Sequence, residues 1–65
     1  MTDEAFEAGV ITSIREEMNR LRGRSFQAIE ATGMPAKQES AVKAVLRSAS
    51  YDAQAHLEAA VRRSR

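Results

Sequence analysis

The chain has 65 residues, no cysteine and a formal net charge of +1. That is room for one small domain, with no disulfide or thiolate metal site to hold it together. Hydrophobic residues make up 43% and charged residues 29%, which suits a soluble protein, and no apolar run approaches the roughly 20 residues of a membrane span.

A chain this short buries only about 60% of its unfolded surface, so it is marginal without a staple. Much of its apolar share is alanine, and aromatics are 5%. Alanine favours helix but buries little area, so the core is thin. Oligomerisation is the common remedy left. The acidic start, Met1-Thr2-Asp3-Glu4, argues against a signal or transit peptide. A cytoplasmic location is therefore expected, with no membrane partner.

The first predicted helix covers about 3–32. Thr2 is its expected N-cap, and Asp3, Glu4 and Glu7 sit near the positive end of the helix dipole. Ile11, Ile14, Met18, Leu21, Ser25, Ala28 and Thr32 alternate spacings of three and four, which predicts a packing seam. Val10 and Ile29 widen it, and Phe26 lies off it, available to a second partner. Gly9 and Gly23 are interior glycines, each costing about 1 kcal/mol against alanine. Gly23 marks a kink, a close approach of backbones, or simply a tolerated glycine.

Thr32-Gly33-Met34-Pro35 is the one punctuation mark. Glycine ends helices through left-handed backbone angles, and proline suits the first turn of a new one. A turn at 33–35 follows, then a second helix over about 36–62. Val42, Val45, Leu46, Ala49, Ala53, Leu57, Ala60 and Val61 form its apolar stripe. Small residues dominate the stripe, so a neighbouring helix can come close.

Two helices of about 28 residues are each about 42 Å long, and a turn this short makes them antiparallel neighbours. Folding about residue 34 also brings Asp3, Glu4 and Glu7 toward Arg62, Arg63 and Arg65 at the open end. The predicted fold is all-α: an antiparallel two-helix hairpin, completed by homo-oligomerisation into a helical bundle. One interface cannot enclose a core, and Phe6, Val10, Phe26 and Val45 are left partly bare. The candidate interface residues are Val10, Ile14, Met18, Phe26, Val45, Ala49 and Leu57.

Signs of catalysis are sparse. The sequence has no Gly-rich phosphate loop and no His-x-x-x-His or Cys-x-x-Cys pair. His56 is the lone imidazole, without a Glu-x-x-His partner for a bundle metal site, and reads as a seam or surface residue. No enzyme activity, metal or cofactor is expected. Met18 and Met34 read as core filler and turn cover.

The basic residues are more suggestive. Arg20, Arg22 and Arg24 crowd one part of the first helix, and Lys43, Arg47 and Tyr51 follow one another by single turns on the second. Placing residue 24 near 44 and residue 21 near 47 joins them in a belt. Arginine forks suit phosphate, and tyrosine can stack on a base. The plainer alternative is a solvated face, with Arg20 pairing with Glu16 and Lys43 with Glu39, and with Tyr51 as a half-wet seam residue.

A helix followed by Met34-Pro35-Ala36-Lys37-Gln38-Glu39-Ser40 and a second amphipathic helix resembles the small phage hairpin proteins. These include the anti-CBASS and anti-Thoeris sponges, which form rings that trap cyclic nucleotides. The architecture is also similar to the plasmid repressor-of-primer bundles, dimers that bind paired RNA loops. The sponge resemblance implies a small anionic ligand held by Tyr and Lys or Arg at subunit junctions, for which Tyr51, Lys43 and Arg47 are suitable in type. Three functions are thus expected in order: a non-enzymatic, homo-oligomeric module sequestering a nucleotide-like anion; an RNA- or DNA-binding bundle, against which the modest charge counts; and a protein-directed inhibitor or assembly factor.

Overall fold

The computed structural model describes residues 3–64, so the expected cap Thr2 and the expected ion-pair member Arg65 lie outside it. Two helices, α1 (Asp3–Ala31) and α2 (Ala36–Arg63), pack against each other as an antiparallel hairpin. No strand occurs among the described residues. The rod measures 50 × 16 × 10 Å.

The reversal is built as its residues dictate. Gly33 takes φ +70°, the left-handed region open to glycine. The Thr32 and Gly33 amides donate to Ile29 O and Glu30 O, at 3.2 and 3.3 Å, closing the last turn of α1. The Thr32 hydroxyl donates to Ile29 O at 2.7 Å and accepts from the Met34 amide at 3.3 Å. Pro35, at φ −56° and ψ 143°, starts α2 with no side-chain cap, and its carbonyl accepts from Glu39 N at 2.9 Å. Gly23 has nothing within 4 Å of where a Cβ would stand, so no backbone approaches it closely.

The packing seam departs from the apolar reading. As far as Met18, α1 follows it: Ile11 is buried, and Ile14 and Met18 are half-buried. Beyond Met18 the seam moves on by one residue. Leu21 is exposed and Arg22 is buried in its place, while Ala28 is exposed and Ile29 is half-buried. The same step occurs on α2. The expected Leu46 and Val61 are half-buried, but the expected Val42, Val45, Ala49, Ala53, Leu57 and Ala60 are exposed, and Ser50, Gln54 and Glu58, outside the expected stripe, turn toward α1.

One residue is about 100° of helix rotation, so this is a change of face. Its cause is side-chain length. A seam of alanines offers little area to bury, while the stems of arginine, glutamine and glutamate fill the space and their heads find partners there. Arg22, Ser50 and Glu58 are buried polar residues, and each has a hydrogen bond. Ile11 is the one buried hydrophobic among the described residues.

Candidate functional site

The hairpin carries two unlike surfaces, and both derive from the displaced seam. The first is a ladder of polar and aromatic contacts. The Arg15 guanidinium donates two hydrogen bonds to Glu58, from Nη2 at 2.8 Å and Nε at 3.2 Å. The Arg22 guanidinium lies over the Tyr51 ring and donates to Gln54 at 3.1 Å and to Asn19. Arg47 lies over the Phe26 ring, 5.4 Å from its centroid. Lys43 donates to Glu30 at 2.8 Å and sits 3.6 Å from Glu39. Each step along α1 is matched by an equal step back along α2, so Arg15–Glu58, Arg22–Tyr51, Phe26–Arg47 and Glu30–Lys43 share one register.

That register differs from the simple fold-over at residue 34, which set residue 24 near 44. Side chains in a helix lean toward its N-terminus. In an antiparallel pair both leans add. Arg22 therefore meets Tyr51 and Gln54, well beyond the residues level with its own Cα.

Glu58 is the hub. It is 7% exposed, accepts from Arg15 and from Gln54 (3.2 Å), and has Arg62 at 3.9 Å. The Arg15 hydrogen bond, with help from Gln54, holds its carboxyl below the usual glutamate range. Lys43 is raised above the usual lysine range, chiefly by its hydrogen bond to Glu30. At the open end, where Arg62 and Arg63 were expected to meet the N-terminal acids, Arg62 has Glu58 as its carboxylate neighbour.

The structure divides the predicted belt. Arg22 is spent inside the hairpin, and Lys43 sits between two carboxylates. Arg20 pairs with Glu17 rather than Glu16. Of the belt cations, Arg24 and Arg47 are exposed and make no ion pair among the described residues. Tyr51 is about half exposed beside Arg22. Arg15, Asn19, Gln54 and Glu58 were not singled out from the sequence. A signal for Gln54 and Glu58 existed: Ser50, Gln54 and Glu58 repeat every four residues, with Lys43 seven before Ser50, as apolar seam residues would.

The second surface is an apolar strip on the other side of the seam. Near the open end, Phe6, Val10, Ile14, Met18 and Leu57 line a shallow groove of about 560 Å³. Near the turn, Ala28, Ile29, Val42, Val45, Leu46 and Ala49 line another of about 640 Å³. Of the predicted interface residues, Val10, Ile14, Met18, Val45, Ala49 and Leu57 lie on this strip. Phe26 does not, because it is half-buried under Arg47 on the ladder.

Among the described residues no group of three or more His, Cys, Asp or Glu is placed to hold a metal ion, and no helix is long and apolar enough to cross a membrane. Comparisons with protein-family models, curated proteins and solved structures give no match. The class defined by the structure is an all-helical hairpin with one polar and one apolar side.

Proposed function

We propose that this protein is a non-enzymatic, cytoplasmic binding module that works as a homo-oligomer, with the ladder fixing the hairpin and the strip joining copies. One observation carries the reading. Phe6 and Val45 are 67% and 68% exposed, and Leu21, Val42 and Leu57 are also exposed, while Ile11 is the one buried hydrophobic among the described residues. Large contiguous apolar patches on small soluble chains mark association surfaces. Sedimentation equilibrium across a dilution series tests this. A mass above one chain that falls on dilution is expected, and a fully folded single chain at every concentration overturns the reading.

A second reading has its own support. Arg47 is exposed, has no carboxylate partner among the described residues and stands one turn from Tyr51, whose ring Arg22 holds in place. This is a suitable seat for a nucleotide-like anion, as the resemblance to cyclic-nucleotide sponges implies. A panel of cyclic mono- and dinucleotides should raise the melting temperature of the wild type and leave that of Arg47→Glu unmoved. No shift with any of them removes this reading.

A further inference from the structure

The apolar strip is bordered by charged and polar residues whose order selects its occupant. On the α1 side the border holds Glu17, which lines the same groove as Phe6 and Val10, and Arg24, two helical turns later. On the α2 side Asp52 and His56 follow Val45 and Ala49 by seven residues each, so they continue the line of those two side chains. Arg24 and Asp52 make no ion pair among the described residues.

Resting on the homo-oligomer reading above, we propose that a second copy of this chain covers the strip, with both turns at the same end and α1 of each hairpin against α2 of the other. The two-fold axis then runs along the rod. Rotation about that axis leaves every residue at its own height, so the α1–α2 contact between chains has the same register as the one within a chain. Moving the observed contacts by two residues gives the new ones. Arg15 reaches Glu58 within the hairpin, so Glu17 reaches the copy's His56. Arg22 reaches Gln54, so Arg24 reaches the copy's Asp52. Each pair forms twice, as two-fold symmetry requires.

The opposite arrangement, with turns at opposite ends, sets each helix against its own copy about an axis near Glu17, the middle residue of Asp3–Ala31. With the same lean of side chains, Arg24 then reaches the copy's Glu17 instead of Asp52, so the partner of Arg24 tells the two arrangements apart. Size suits the same-end arrangement: at this register the bulky Ile14 falls on the copy's Ala60, and Ala28 falls on the copy's Val45. The broad side of the rod measures 50 by 16 Å, so a copy laid on it covers roughly 800 Å² per chain, the area of a standard stable interface.

The chain lacks cysteine, so a single spin label can be placed by Lys37→Cys at the exposed start of α2. Helices in a bundle lie 8–10 Å apart, so the proposal expects a label-to-label distance below about 30 Å. Turns at opposite ends of a 50 Å rod give more than about 40 Å. Arg24→Asp should raise the dimer dissociation constant about tenfold, and adding Asp52→Arg on the same chain should restore it, with unchanged far-ultraviolet circular dichroism throughout. A long distance in an intact oligomer, or no rescue by the second substitution, overturns the arrangement and leaves the homo-oligomer reading standing. A folded monomer overturns both.

Discussion

The Arg22 guanidinium carbon stands 3.9 Å from the centroid of the Tyr51 ring, with its nitrogens turned to Asn19 and Gln54. Arg22 is thereby almost wholly enclosed at a position where the apolar pattern calls for Leu21. A cation can occupy a seam only when every donor has somewhere to go, and here two amides and an aromatic face supply that.

Arg22→Ala should therefore cost roughly 1–3 kcal/mol, because Gln54 and Asn19 lose their partner and the seam loses a long stem. Tyr51→Phe keeps the ring face and should stay within about 0.5 kcal/mol of the wild type. Thermal melts followed by circular dichroism, at one fixed chain concentration, separate the two. Equal effects would contradict the cation–ring contact.

The Glu58 hub gives a pH dependence with a definite sign. Its carboxyl is held below its ordinary value of 4.5 in the folded chain. The stabilisation is thus complete above that value and is lost as pH falls through the lower folded value. Wild-type melting temperature should drop on acidification below about pH 4.5, and Glu58→Gln should start lower at neutral pH and show a shallower acid slope. Identical slopes would show that Glu58 is not the group responsible.

The glycines should respond in opposite directions. Gly33→Ala forces a Cβ into the left-handed region and should lose about 1–2 kcal/mol. Gly23→Ala meets nothing within 4 Å and should gain about 0.5–1 kcal/mol from helix propensity. Urea midpoints measured side by side check both signs.

Val45→Glu tests the strip itself. Val45 is 68% exposed in a single hairpin, so the charge should hardly disturb an isolated chain. In an assembly it is buried without a partner, and the sedimentation mass should fall to that of one chain. Retention of the wild-type mass would place the interface elsewhere.

The hairpin was legible because its determinants are local. Gly33 and Pro35 end one helix and start the next, and no competing break exists in the chain. The seam was only half legible. Hydrophobic spacing located Ile11, Ile14 and Met18, but it has no means of ranking Arg22 above Leu21. That choice depends on Asn19, Gln54 and Tyr51 together, two of them on the other helix. The belt was less legible for a related reason. Arg20, Arg22 and Lys43 have the composition of an anion site, yet whether a cation is available depends on which carboxylates and amides the fold sets beside it.

The shared spacing of the ladder also works as a key against misalignment. Sliding α2 by one turn in one direction would set Arg22 against Arg47 and Glu30 against Glu39. Sliding it the other way would set Arg15 against Arg62. The first slip replaces attraction with repulsion at two heights and the second does so at the Glu58 hub, so the order of charges favours one alignment of the two rods, which a seam of interchangeable alanines could not do.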